Sequence, residues 1–150
     1  MAFLSRLLAA RAPAREAFPS FSDGPPVSAV RRPHVLVVDD ETLIADSVAA
    51  ILNRNGYDAV ARYSGLAAIE YLEKKRPDIV VTDVMLPDLD GVHVALTVRK
   101  VLPQTRVVLF SGHVSTTQLL ELNSAAANSF ELLSKPVHPA QLLKALQPAD

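Results

Sequence analysis

The sequence contains no cysteine, so disulfide bonds, zinc–thiolate centres and thiol catalysis are all excluded. No apolar run approaches the roughly 18 residues that a membrane-spanning helix needs, so no transmembrane segment is expected. The net charge of −1 gives the chain no general attraction for nucleic acid. What remains is a composition typical of a globular protein, with 49% hydrophobic and 21% charged residues among 150, a length that fits one domain and a tail.

The first part of the chain differs from the rest in composition. Residues 1–32 carry five arginines and two acidic residues, whereas residues 33–150 carry ten basic and fourteen acidic residues. Five prolines and one glycine interrupt residues 1–33 and prevent a long helix. We predict that residues 1–33 form a flexible extension rich in Ala, Arg and Pro. A short docking or membrane-surface helix and an organelle-targeting peptide remain alternatives for this segment.

From His34 onward, short apolar runs alternate with helical patterns, and residues 34–150 are predicted to form one domain. The predicted strands cover about 34–38, 58–63, 79–83, 106–111 and 130–134, and the predicted helices 1 to 5 cover about 41–54, 65–75, 92–102, 116–126 and 139–146. Strands 1, 3 and 4 are almost wholly apolar, as parallel strands covered on both faces are, and strand 5 is also interpreted as buried. The alternation predicts an α/β fold, a three-layer α/β/α sandwich.

Charged side chains stand at the ends of three predicted strands. Asp39 and Asp40 follow strand 1, Asp83 ends strand 3, and Lys135 follows strand 5. The carboxyl ends of neighbouring parallel strands converge on one crevice. Two carboxylates ~4 Å apart repel by ~4 kcal/mol at an effective dielectric constant of ~20, so such a cluster needs a compensating cation. Mg²⁺ combines carboxylate ligands with phosphate oxygens, so the cluster predicts a site that binds Mg²⁺ and handles a phosphoryl group.

Each of these residues also has a plainer explanation. The Asp39–Asp40 pair could cap a helix, Asp83 could belong to a turn, and Lys135 could be solvated. Asp88 and Asp90, in the loop before helix 3, are interpreted as turn and cap residues. A calcium-binding loop is rejected there because no glutamate follows at the closing position.

Two further pairs of residues stand at strand ends. At Ser111-Gly112, the hydroxyl could donate to a phosphoryl oxygen, and the glycine leaves room for that group to approach. Lys135-Pro136 ends strand 5 sharply, and a cis peptide bond there would point the lysine back over the crevice.

Taken together, these motifs resemble the receiver domain of two-component response regulators over about residues 34–146. The matching features are Asp39-Asp40, Asp83 within the string Asp-Val-Met-Leu-Pro-Asp-Leu-Asp-Gly, Ser111-Gly112 and Lys135-Pro136. The resemblance implies a flavodoxin-like, five-stranded parallel sheet of order 2-1-3-4-5. It also implies a cytoplasmic signalling protein of a phosphorelay that catalyses only its own phosphorylation and dephosphorylation.

The resemblance further implies a role for each residue of the acidic cluster. Asp83 is the phosphoacceptor, and a sensor histidine kinase or phosphotransfer protein is the donor. Asp40 and Asp83 hold Mg²⁺ directly together with the backbone carbonyl of Met85, while Asp39 acts largely through water. Lys135 pairs with the phosphoryl oxygens, and its bond to the following proline is cis.

The same resemblance implies how the signal leaves the domain. Ser111 swings inward to the phosphoryl group, and the surface of helix 4, strand 5 and helix 5 changes its conformational population and binds a downstream protein. The family places an aromatic switch residue at position 132, where this chain has Leu132, and the nearest aromatic is Phe130. His113 could tune the lifetime of the phosphoryl group or be a plain exposed histidine. The other histidines show no ligand spacing and are interpreted as structural or solvated; they are His34, His93 and His138.

Two rival functions remain open at this point. A pseudo-receiver would keep the fold as a binding module without phosphorylation. The intact Asp40, Asp83 and Lys135 argue against that hypothesis. The leucine at position 132 leaves it open. A phosphatase with an Asp nucleophile, like the haloacid dehalogenases, would need a second Asp two residues after Asp83, where this chain has Met85. Because the sequence ends at Asp150, soon after helix 5, we expect a stand-alone receiver that acts through a protein partner and does not bind DNA directly.

Overall fold

The computed structural model describes residues 31–112 and 130–148. Predicted helix 4, His113 and nearly all of the N-terminal extension lie outside the described residues, so those expectations stay predictions. In the two described ranges, no helix is both long and apolar enough to cross a membrane. The elements in chain order are β1 (His34–Val38), α1 (Thr42–Asn53), β2 (Asp58–Arg62), α2 (Gly65–Lys74), β3 (Ile79–Asp83), α3 (Gly91–Val101), β4 (Arg106–Ser111), β5 (Glu131–Ser134) and a C-terminal helix (Pro139–Leu146).

The five strands form one parallel sheet in the order β2-β1-β3-β4-β5, so the predicted flavodoxin-like topology is confirmed. The register aligns Val38 at the end of β1 with Thr82 in β3. It also pairs Asp83 with Phe110, so Ser111 lies one step further along β4. The carboxyl ends of all five strands therefore lie along the same side of the sheet, and the residues that follow the strands become neighbours in space.

Two hydrophobic clusters cover the two faces of the sheet and make the three-layer sandwich. Strand residues alternate between the faces, since Leu36 and Val80 belong to one cluster while Val37 and Val81 belong to the other. Helices α2 and α3 pack on the first face, and α1 and the C-terminal helix pack on the second. Each fully buried Val or Leu contributes roughly 1.5–3 kcal/mol relative to an exposed side chain, so the central strands are firmly held.

The prediction that the last strand is buried is wrong, because β5 is mostly exposed. Glu131, Leu132 and Ser134 are exposed in it, and Leu133 is only partly buried. The strand lies at the outer edge of the sheet, next to β4 alone. An apolar run is compatible with such an edge, because only one side chain in two needs to face the core.

The ends of the helices follow local rules that the sequence already indicates. Ser64 caps α2, because its Oγ accepts a hydrogen bond from the backbone N–H of Ala67 at 3.0 Å. Gly56, just beyond α1, has a φ of 94°, a left-handed conformation that glycine adopts at little cost. Proline is tolerated in the first turn of a helix, and Pro139 begins the C-terminal helix.

Arg106 at the start of β4 fastens the C-terminal helix to the sheet edge. Its guanidinium donates to the backbone carbonyls of Ala145, Leu146 and Gln147. It also forms an ion pair with Glu131 of β5. These carbonyls are among the last ones of the helix, which have no partner inside the helix itself, so Arg106 acts as a C-terminal cap supplied by another element.

Candidate functional site

Three carboxylates meet at the carboxyl ends of β1 and β3, as the sequence predicts. One oxygen atom from each of Asp39, Asp40 and Asp83 lies within 4.8 Å of the others. Asp39 is fully buried and Asp83 is 5% exposed, whereas Asp40 faces solvent. The buried pair is costly without positive charge beside it, so the neighbours of these carboxylates decide what the site can do.

Asp39 is fixed by both its backbone and its side chain. Its N–H donates to the carbonyl of Arg62 at 3.1 Å, which holds the turn after β1 against β2. Its Oδ1 accepts from the backbone N–H of Glu41 at 3.0 Å, and its Oδ2 accepts from Lys135 Nζ at 2.9 Å. The carboxylate therefore has a hydrogen bond at each oxygen, and its position is set by β1, α1 and the loop after β5 together.

Asp83 has a different environment. Its Oδ1 accepts from the backbone N–H of Met85 at 3.1 Å, and its Oδ2 accepts from Lys135 Nζ at 3.0 Å. Burial raises the pKa of Asp83 above its usual value, and the hydrogen bonds from Lys135 and Met85 oppose that rise without cancelling it. The charged carboxylate is thus held in the fold at a net cost, which a further cation would reduce.

Through its ammonium group, Lys135 forms ion pairs with both buried carboxylates. Its backbone N–H donates to the carbonyl of Ser111 at 2.9 Å, and the peptide bond between Lys135 and Pro136 is cis, as the resemblance implies. Burial lowers the pKa of Lys135, but hydrogen bonds to Asp39 and Asp83 outweigh it, so the pKa lies above its usual value. The side chain is therefore a protonated ammonium at neutral pH.

The acidic cluster suits a divalent cation by its charge and its donor atoms. Three carboxylates against the one ammonium of Lys135 leave an excess of two negative charges. Every donor in the set is an oxygen, which is the ligand type that Mg²⁺ prefers. Asp40, the exposed member, leaves the cluster open to solvent on one side. The residues present therefore fit the ion that the sequence predicts.

Ser111 and Gly112 lie beside this cluster at the end of β4. Among the residues that the structure describes, Ser111 Oγ is one of two buried side-chain polar atoms without a hydrogen-bond partner. A buried hydroxyl in that state is costly and needs an explanation, and an acceptor group entering the site would supply one. Gly112 has no atom within 4 Å of the position where a Cβ would stand, so the expected open space is present.

The loop between β3 and α3 is packed more closely than the sequence suggests. A Cβ on Gly91 would lie 1.8 Å from the carbonyl oxygen of Asp83, so only glycine allows α3 to begin there. The Oδ1 of Asp90 accepts from the N–H of Val92 at 3.0 Å and caps α3, and Asp88 accepts from backbone N–H groups at the start of α2. Asp88 and Asp90 are thus turn and cap residues, as predicted.

Sequence reasoning missed the role of Gly91, because the contact that requires a glycine is made by the tertiary approach of α3 to β3. The only local signal is its place directly after the cap Asp90. Leu132, where an aromatic residue was expected, is 40% exposed on β5. Phe130 is partly buried against the cluster of α2 and α3 instead, with the Arg99 guanidinium 5.0 Å from the centre of its ring.

The three described histidines are structural or solvated, as predicted. His34 lies within hydrogen-bonding distance of the Asp58 carbonyl and the Tyr71 hydroxyl, at the end of the sheet opposite to the acidic cluster. His93 and His138 are exposed. None of them belongs to the group of side chains that could hold a metal ion among the described residues.

The sheet order and the cluster of two buried aspartates, an exposed aspartate and a lysine define a class of α/β signalling domain. A family model described as the response regulator receiver domain matches residues 35–147. The chain belongs to this family and is a receiver domain of two-component signalling. That assignment confirms the family resemblance inferred from the motifs.

A curated regulatory protein shares part of the sequence. The chain is 46% identical over 66 residues to the regulatory protein VanRc of Enterococcus gallinarum, a match that covers 44% of this chain and 29% of that protein. The match thus spans less than a third of that relative's length.

Solved structures give the same fold. The CheY-like receiver domain protein of Methanospirillum hungatei JF-1 is 26% identical with a TM-score of 0.71, over 77% of this chain and 91% of that one. The chemotaxis response regulator CheY4 of Vibrio cholerae is 29% identical with a TM-score of 0.68, over 78% of this chain and 98% of that one.

Proposed function

We propose that this receiver domain is switched by phosphorylation of Asp83 and that the phosphoryl group comes from a phosphohistidine of a sensor kinase or phosphotransfer protein. The observation that carries the proposal is the contact of Lys135 Nζ with both buried carboxylates, at 2.9 Å from Asp39 and 3.0 Å from Asp83. A protonated lysine next to an ionised acceptor is what charge neutralisation in phosphoryl transfer requires.

The residues of the chain divide the work of this reaction. A carboxylate oxygen of Asp83 attacks phosphorus, a new oxygen–phosphorus bond forms, and the nitrogen–phosphorus bond of the donor breaks. Lys135, which forms an ion pair with Asp83, would pair with the transferred oxygens. The hydroxyl of Ser111, which is buried without a hydrogen-bond partner, would donate to one of them. Positioning and electrostatics supply most of the catalysis in such transfers.

A metal ion belongs to the same proposal. Asp40, Asp83 and the backbone carbonyl of Met85 would hold Mg²⁺, with Asp39 acting largely through water. The ion, when bound, supplies positive charge that offsets the acceptor carboxylates and the phosphoryl oxygens. The excess of two negative charges in the cluster supports this assignment, as does the oxygen-only donor set.

The partners follow from the same chemistry. An apolar groove of about 550 Å³ runs beside Lys135 and is lined by Leu43, Ile44, Ile51, Phe110 and Val137 among others. We assign this groove to the protein that donates the phosphoryl group, because it adjoins the site. Output would pass through predicted helix 4, β5 and the C-terminal helix to a downstream protein in the cytoplasm, without direct DNA binding.

The test is Mg²⁺-dependent labelling of the full chain by a small acyl-phosphate donor, followed by intact mass. We expect one phosphoryl group on the wild type and none on Asp83→Asn. Asp90→Asn is the matched control, because it changes an aspartate of the same loop that caps α3. Equal labelling of wild type and Asp83→Asn would remove Asp83 from its role. If neither small donors nor histidine kinases label the wild type, the domain is a pseudo-receiver that binds partners without phosphorylation.

A further inference from the structure

Asp88 makes a pair of hydrogen bonds that the proposed reaction does not use. It lies in the loop that leads from β3 to α3, five positions after Asp83. Its Oδ1 accepts from the backbone N–H of Gly65 at 2.9 Å, and its Oδ2 accepts from the N–H of Leu66 at 2.9 Å. These donors are the first two of α2, so the carboxylate joins the loop to a helix that lies 22 and 23 residues earlier in the chain.

The same two segments also touch through their backbones. A Cβ on Gly65 would lie 2.5 Å from Leu89 Cβ and 2.8 Å from the Leu89 carbonyl oxygen. The absence of a side chain at Gly65 therefore lets the loop approach the start of α2 directly. The two hydrogen bonds of Asp88 and the close packing of Leu89 together hold the loop against the start of α2.

Helix α2 is in turn anchored to the strand that carries the other acidic residues. Its buried side chains Ala68 and Leu72 belong to the same hydrophobic cluster as Leu36 and Val38 of β1. Strand β1 leads directly into Asp39. A continuous set of contacts thus runs from the loop after β3, through α2, to the strand that ends at the acidic cluster.

The loop between Asp83 and Asp88 includes Met85, whose backbone contacts the acidic cluster. Met85 donates its N–H to Asp83 Oδ1 at 3.1 Å, and it stands between Asp83 in β3 and the tether at Asp88. We propose that Asp88 is a positioning residue, whose carboxylate pins the loop to α2 and so keeps the backbone at Met85 in the geometry that the acidic cluster needs for a cation. This inference rests on the proposed function, since Mg²⁺ is the cation concerned.

The start of a helix leaves four backbone N–H groups without partners inside the helix, and Ser64 and Asp88 accept from different ones. Ser64 caps α2 from within the same segment, through the N–H of Ala67. What distinguishes Asp88 is that its carboxylate comes from another loop. Backbone hydrogen bonds from Leu66 and Gly65 hold its pKa below the usual value. The side chain is therefore an anion at neutral pH, which the N-terminus of a helix favours.

Asp88→Ala and Ser64→Ala form a matched pair for the test. Each variant removes side-chain hydrogen bonding at the N-terminus of α2, and we expect each to lower the melting temperature by a similar, small amount. Only Asp88→Ala cuts the tether to the loop. Asp88→Asn keeps one acceptor oxygen and serves as the conservative variant, which we expect to fall between wild type and Asp88→Ala.

Two measurements on the full chain separate the possibilities. Hydrogen exchange of the Met85 amide, followed by NMR in the presence of a chelator, reports loop order without metal. Calorimetric titration with Mg²⁺ reports the cation geometry. For Asp88→Ala we expect faster exchange and about 10-fold weaker Mg²⁺ binding, as is typical when residues that support metal ligands are removed. For Ser64→Ala we expect wild-type values in both.

The amide exchange and the Mg²⁺ titration each have a result that would contradict the proposal. If exchange or Mg²⁺ affinity in Asp88→Ala changes no more than in Ser64→Ala, the positioning role is wrong. If wild-type protein binds no Mg²⁺ at all, the proposed function fails instead, and the exchange measurement alone then decides whether Asp88 orders the loop.

Discussion

Strands β3 and β5 contribute to the same site from opposite surroundings. All five residues of β3 are buried, and the strand delivers Asp83. Three of the four residues of β5 are exposed, and the loop after this strand delivers Lys135. The carboxylate therefore stands on a strand that the core holds on both faces, while the ammonium follows a strand at the edge of the sheet.

The difference indicates which part of the site is free to adjust. Local stability follows the number of buried apolar contacts, so segments with few of them open most easily. By that rule the acidic side of the site stays fixed, and the side of Lys135 and β5 moves first. The proposed switch would need this division, because the acceptor geometry must hold while a neighbouring surface changes its conformational population.

The largest expected effect tests the contrast in burial between the centre of the sheet and its edge. Leu36→Ala in β1, where the side chain is fully buried, should lower the free energy of unfolding by ~2–5 kcal/mol because it leaves a cavity. Leu132→Ala in β5, where the side chain is 40% exposed, should change it by only about 0.5 kcal/mol. Urea unfolding of both variants measures the two losses. Equal losses would mean that β5 is packed as firmly as the centre.

An intermediate effect concerns the glycines that follow β3 and β4. Gly91→Ala places a methyl group 1.8 Å from the Asp83 carbonyl, so the loop has to shift, at a cost of ~1–3 kcal/mol. Gly112→Ala enters open space and should leave stability within about 1 kcal/mol of wild type. Thermal melting compares the pair, and the Met85 amide shift in NMR spectra reports the loop. Similar melting curves for both variants would contradict the close packing after β3.

The smallest effect is a pH dependence in the buried charge. Because burial raises the pKa of Asp83 above 3.8, its contribution to stability is complete below that value and is lost as the pH rises through the raised pKa. Asn does not titrate, so in metal-free buffer Asp83→Asn should gain melting temperature relative to wild type as the pH rises from about 4 to 7.

A matched control for this prediction lies at the edge of the sheet. Glu131→Gln removes the partially exposed ion pair with Arg106, which is worth ~0–1 kcal/mol and weakens with salt. It controls for the general effect of removing one carboxylate charge from the surface. If the melting temperatures of Asp83→Asn and wild type change with pH in the same way throughout, burial does not raise the pKa of Asp83.

Most of the fold could be predicted because its signals are local. Apolar runs and helix caps such as Ser64 lie within a few residues, and the alternation of strands and helices fixes a parallel sheet. The meeting of Asp39, Asp83 and Lys135 was also predictable, since each stands at a strand end and parallel strands end together. The family motif supplied the order of the strands, which patterning alone leaves open.

The remaining features depend on contacts between distant segments. The leucines Leu132 and Leu133 are as apolar as residues of a central strand, and only their place at the sheet edge leaves the first of them exposed. The tether from Asp88 to α2 spans more than 20 residues, so nothing near Asp88 in the sequence announces it. Gly91 is required by the approach of one backbone to another, which becomes visible only in the folded chain.

The cap that Arg106 places on the C-terminal helix constrains protein engineering at this end of the chain. A fused helix that continued past Leu146 in register would need the same carbonyl oxygens that the guanidinium now occupies. Tags and reporters should therefore be joined here through a non-helical spacer. A rigid helical fusion would instead compete with Arg106 for these carbonyl oxygens and weaken the attachment of the C-terminal helix to the sheet.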